Sequence, residues 1–143
     1  MTFHPTGKGM RPTGLRLDYL TRPQLLAAAS AAAVGISAFL PWFSAFGLGV
    51  SGIRGEGRLT LLCAIAGLAV MAFSTDVLGH RRLTRQAYLA GSAPAAGLVV
   101  LTALGDMGHY AGLGLYLTLI AGVTWVVALI WDVNEHSKRS PLR

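Results

Sequence analysis

Four long apolar runs mark the chain, at 25–43, 59–79, 87–104 and 113–131, with short polar or glycine-rich connectors between them. Each approaches the roughly 20 residues needed to cross a 30 Å hydrocarbon layer as a helix. None contains Lys or Arg, and Asp76 is the only acid among them. The third is the weakest, with Ser92 and Pro94 inside it. Runs this long and apolar on every face do not read as amphipathic helices of a soluble core. The pattern predicts an all-α membrane protein with four transmembrane helices. A mobile basic tail (1–24) precedes the helical domain (25–131), and a polar tail (132–143) that should fray follows it.

Composition agrees with that pattern. Hydrophobic residues make up 53% of the 143 positions and charged residues 13%, against roughly 25% charged in soluble domains. A net charge of +6 would fit a nucleic-acid binder, but the charges are confined to tails and connectors. Membrane-flanking cations explain that distribution, with no nucleic acid as partner. Cys63 is the only cysteine, so no intrachain disulfide can form, and within an apolar run it reads as a small hydrophobe. The first run reads as a retained anchor rather than a cleaved signal peptide, since no small-x-small site follows it.

Charge also sets an orientation. Lys8, Arg11, Arg16 and Arg22 precede the first run, Arg81, Arg82 and Arg85 lie between the second and third, and Lys138, Arg139 and Arg143 follow the fourth. Four crossings put those ten on one side, leaving Arg54 and Arg58 of the 12 Lys and Arg residues on the other. Positive charge stays cytoplasmic, so both termini should be cytoplasmic at the cell membrane. Arg81, Arg82 and Arg85 should then contact anionic lipid headgroups. Trp42, Phe43, Tyr88, Tyr110, Tyr116 and Trp131 fall at run ends, where amphipathic rings favour the interface. Trp125 lies deeper and reads as packing.

In lipid, helices associate through close packing and polar contacts, which small residues permit. Ala28, Ala32 and Gly35 offer such a face on the first helix, and Gly114, Thr118 and Gly122 offer one on the fourth. Cys63 and Gly67 form a shorter pair on the second. Pro94 removes a backbone donor within the third helix and predicts a kink there. A packing irregularity is the favoured reading over a gating hinge.

The glycine-rich connector 44–58 contains GLGVSG, which formally matches a dinucleotide fingerprint. That motif requires a strand before it and a helix after it in a βαβ unit, and no Gly-Lys-Ser/Thr is present for a P-loop. A short outer β-hairpin turning near Gly52 to Gly55 is the better reading. Trp42, Gly52, Gly55, Glu56 and Gly57 would form an outer cap, with Glu56 beside Arg58. Asp76 is a candidate intramembrane polar site, although pairing with His80 or anchoring at the interface is favoured. Asp106, His109 and Glu56 match no metal-ligand spacing, and a solvated turn is expected. No catalytic residues, cofactor or metal site can be assembled.

Leu40, Pro41 and Trp42, then Ser51, Gly52, Gly55, Gly57, Thr60 and Leu61, form a pattern. It resembles one found in small actinobacterial four-helix membrane proteins to which no activity is assigned. Those carry Gly-Asp-Gly where Glu56 stands here. The resemblance covers about 30 residues and implies a four-helix architecture. The function expected is that of an interaction or scaffold protein, or an accessory subunit of a cell-envelope assembly, and not an enzyme. The alternative is a small oligomeric transporter or channel, without the first-helix acid of small multidrug transporters. Partners expected are the lipid bilayer and either further copies of the chain or a larger membrane protein.

Overall fold

The computed structural model describes residues 20–45, 48–75, 83–108 and 111–139. Among the described residues, four α-helices carry the fold: α1 (Arg22–Ser37), α2 (Gly57–Ser74), α3 (Arg85–Gly105) and α4 (Leu113–Arg139). Between α1 and α2 lie strands β1 (Pro41–Ala45) and β2 (Leu48–Ser51), followed by a 3-10 turn at Gly52–Arg54. The helices α2, α3 and α4 are each long and apolar enough to cross a membrane. The protein is membrane-embedded on that evidence. α1 has 16 residues, about 24 Å of helix.

Neighbouring helices run in opposite directions around the bundle. The end of α1 meets the start of α2, where Gly35 faces Leu61 and Ala64. The second half of α2 meets the start of α3 at Val70 and Gly91, and Val99 and Val100 of α3 meet Gly122 of α4. α1 closes the ring against α4. The core is formed by Ala27, Ala31, Val34, Ala64, Met71, Tyr88, Ala96, Val99, Ala121, Trp125, Ala128 and Leu129.

Several boundaries differ from the hydropathy pattern, each for a local reason. α1 begins at Arg22, inside the expected tail, with the Thr21 amide donating to Gln24 Oε1 at 3.2 Å and Pro23 in its first turn. Such capping satisfies backbone donors that a helix start leaves free. α1 ends at Ser37, six residues before the apolar run does, because Pro41 cannot continue a helix and disfavours helical backbone at Leu40. Trp42 and Phe43 therefore lie in β1, not at a helix end. α4 continues to Arg139, through the tail expected to fray. Lys138 suits the negative end of the helix dipole, and Pro141 follows closely in the sequence.

The hairpin also differs in register. Pro41 pairs with Ser51, Phe43 with Val50, Ser44 with Gly49 and Ala45 with Leu48, interrupted by an irregularity between Pro41 and Phe43. The last pair before the strands join is thus Ala45 with Leu48, away from the expected turn near Gly52 to Gly55. β1 is held on its other side by a bridge from Phe43 to Ala111 and by the Gly112 amide donating to the Trp42 carbonyl. That bond ties the hairpin to the start of α4.

Candidate functional site

Polar side chains collect in two places inside the bundle. At the hairpin end, Ser37 and Thr118 share a hydroxyl hydrogen bond of 2.6 Å, and the Trp42 indole N–H donates to the Ser37 carbonyl at 3.0 Å. Ser37 is the last residue of α1, where carbonyls lack helical partners; its carbonyl accepts from the Leu40 amide at 3.1 Å and takes the indole as a second donor. Trp42 is buried at 1% exposure, so its ring faces the protein interior. A Cβ on Gly52 would fall 2.6 Å from Trp42 Cδ1, and one on Gly114 would fall 2.8 Å from the same atom. Glycine at both positions makes room for the ring.

At the opposite end, Arg85 reaches across from α3 to α4. Its Nη2 donates to the Asp132 carbonyl at 3.1 Å and to Asp132 Oδ2 at 3.2 Å. Arg85 Nη2 and Asp132 Oδ2 form an ion pair, with the carboxylate side chain only 9% exposed. Two bonds to one residue fix the register of α3 against α4, and the guanidinium supplies the buried carboxylate side chain with a partner. One turn further along α3 lies Tyr88, within electrostatic reach of both Asp132 and Arg85. It is buried, at 2% exposure, with its ring turned into the bundle.

Removing this pair tests its contribution. Arg85→Gln and Asp132→Asn should each lower stability, with a coupling of about 1 kcal/mol in a double-mutant cycle. Chemical denaturation in detergent measures it, and strictly additive losses would show that the two side chains act apart.

Tyr88 Oη, Ser92 Oγ and Trp125 Nε1 are buried with no hydrogen-bond partner among the described residues. Four other helix hydroxyls behave differently. Ser74, Thr102, Thr118 and Thr124 each donate to the carbonyl four residues earlier, at 2.6 to 2.8 Å. That local bond is the usual resort of a hydroxyl within a helix, and Ser92 does not make it.

The residues singled out from sequence are distributed unevenly around these sites. Gly114, Thr118 and Gly122 are all buried, the first two against α1 and Trp42, the third with its notional Cβ 3.0 Å from Val99 Cγ1. On α1 the buried face is Ala27, Ser30, Ala31, Val34 and Ser37. Of the expected seam, half-buried Ala28 packs against the core and half-buried Gly35 faces Leu61 and Ala64 of α2, whereas Ala32 is exposed. In a helix made almost wholly of small residues, four-residue spacing recurs on every face and cannot select one. Pro94 is exposed, and α3 remains helical through it.

In the connector, Gly57 is buried where a Cβ would lie 2.8 Å from Gly52 Cα. Gly55 and Glu56 are exposed. Arg58 donates to the Ile53 carbonyl at 2.7 Å, a backbone partner in place of the expected Glu56. α2 ends at Ser74, short of Asp76. Asp76, His80, Arg81, Arg82 and His109 lie outside the described residues. Asp106 is the C-terminal cap of α3.

Sequence reasoning passed over Asp132, Ser92 and the inward turn of Tyr88. One signal was available: Arg85, Tyr88 and Ser92 are spaced to share a helix face, as are Trp125 and Asp132, two turns apart. Comparison with protein-family models, with curated proteins and with solved structures finds no match for this chain.

Proposed function

We propose that this chain is a non-catalytic membrane subunit of the plasma membrane that works by binding other membrane proteins or copies of itself. It would serve as a scaffold or accessory component of a cell-envelope assembly. The observation that carries this reading is the division between a filled interior and an apolar exterior. Trp42, Trp125, Leu115, Val34 and Val99 occupy the inside, whereas Ile36, Phe39, Leu62, Leu101, Ile120 and Ile130 stand outward. On such a surface lipid and a partner's helices compete on shape alone, because the hydrophobic drive is equal for both.

In this reading α1 also crosses the membrane, making four spans with both termini cytoplasmic. The support is the placement of ten of the 12 Lys and Arg residues on one side. Arg81 and Arg82 would then meet anionic headgroups, and the resemblance to small actinobacterial four-helix proteins points the same way. Single-cysteine labelling of intact cells tests the topology after Cys63→Ala. Leu48→Cys, on an exposed strand residue, should react, whereas Lys8→Cys and Lys138→Cys should not. Labelling at position 8 or 138 would overturn the orientation. Position 48 is preferred to Gly52, where any side chain would strike Trp42.

Partner binding has its own test. Mild detergent extraction followed by affinity purification and mass measurement should yield a stoichiometric partner or a homo-oligomer. A monomer at every protein and detergent concentration, with no co-purifying chain, would count against the reading. A small oligomeric transporter or channel is the second reading, favoured by the unpaired polar atoms of Tyr88, Ser92 and Trp125 inside the bundle.

A further inference from the structure

Tyr88 and Ser92 lie on the buried face of α3 and Trp125 on the buried face of α4, along the stretch where the two helices pack together. Arg85, Tyr88 and Ser92 stand at i, i+3 and i+7 on α3, a single face, which continues as the buried Ala96 and Val99. On α4, Trp125 and Asp132 lie seven residues apart, again on one face, with buried Ala128 and Leu129 between them. The two faces are pinned together at both ends of this stretch. Arg85 meets Asp132 at one end, and Val99 and Val100 meet Gly122 at the other. Tyr88, Ser92 and Trp125 all fall between the pins, and all are at least 98% buried, at 2%, 0% and 0% exposure.

We propose that these three groups form an interior hydration site, in which ordered water joins the Arg85–Asp132 pair to the centre of the bundle. The chemistry of the donors selects that occupant. An indole N–H can only donate, whereas each hydroxyl can donate or accept. A water accepts from Trp125 Nε1 and donates to a hydroxyl oxygen, which satisfies groups that are costly to leave unpaired. A cation is disfavoured by the indole N–H and the Arg85 guanidinium, and an anion by the Asp132 carboxylate. Ser92 forgoes the carbonyl bond that Ser74, Thr102, Thr118 and Thr124 make, and its hydroxyl is thereby left available to water. The inference does not depend on the scaffold reading, since a buried hydration site serves a scaffold and a transporter alike.

The test uses the full chain with 15N-labelled tryptophan in lipid nanodiscs. The three indole signals are assigned by difference against Trp42→Phe and Trp131→Phe. Water-selective cross-relaxation should reach the Trp125 N–H and fall by at least half in Ser92→Ala or Tyr88→Phe. Those variants should also melt a few degrees lower than the parent. Lack of water contact at Trp125 in the parent chain would overturn the proposal, whatever the variants do. So would a water signal that survives unchanged in both variants, because the three groups would then share nothing. Equal or higher melting temperatures in both variants would identify dry hydroxyls and overturn it as well.

Discussion

Trp42→Ala should destabilise the protein by about 3 kcal/mol, the low end of the range for truncating a buried tryptophan. Three losses combine. The ring leaves a space bounded by Gly52 and Gly114, and neither glycine has a side chain to move into it. The Ser37 carbonyl at the end of α1 loses one of its two donors, keeping only the Leu40 amide. The hairpin loses the residue through which it packs on Leu115 and Ala103. The low end applies because a side chain in or near lipid forgoes part of the usual transfer from water. Trp131→Ala is the control, since Trp131 is 43% exposed and its removal should change stability by no more than about 0.5 kcal/mol. Equal losses for the two variants in thermal or chemical denaturation would mean that Trp42 does not anchor the hairpin.

Gly67→Ala should destabilise by about 1–3 kcal/mol, as expected when a methyl group is forced into a filled core. A Cβ at position 67 would overlap Cη2 and Cζ2 of Trp125, and that ring is fully buried. Alanine is the better helix former by about 1 kcal/mol, so a loss would oppose intrinsic propensity and isolate the steric term. Combining Gly67→Ala with Trp125→Phe should cost less than the sum of the two single changes by at least about 0.5 kcal/mol. Strict additivity would show that α2 and α4 do not meet through these residues.

The helices were legible because each lies within or beside an apolar run. Their ends were legible only where a local signal stood. Pro41 was in plain view, yet the apolar character of Phe39, Leu40, Trp42 and Phe43 carried the expected first helix past it. Steric exclusion of helix at Leu40 and Pro41 prevails over hydropathy there, since hydropathy reports a preference for lipid and says nothing of backbone shape. The polar end of α4 misled in the opposite sense, because polar residues at a membrane surface can stay helical when their charges suit the helix terminus.

The candidate site was less legible than the fold. Arg85 and Asp132 are 47 residues apart in sequence, and nothing local pairs them. Tyr88 and Trp42 have the amphipathic rings expected at an interface, but both face inward.

The sequence alone determined that the chain belongs in a membrane and roughly where its helices lie, because burying 18 or more apolar residues in hydrocarbon dominates every local preference. It also carried the glycines that admit the two indoles. Only the tertiary structure decided which face of each helix turns inward, because helices apolar on all sides carry no amphipathic stripe to mark one. Shape decided instead, with Trp42 fitting over Gly52 and Gly114 and Trp125 over Gly67. Once those rings are seated, α1, α2 and α4 have fixed rotations, and Arg85 of α3 meets Asp132 of α4.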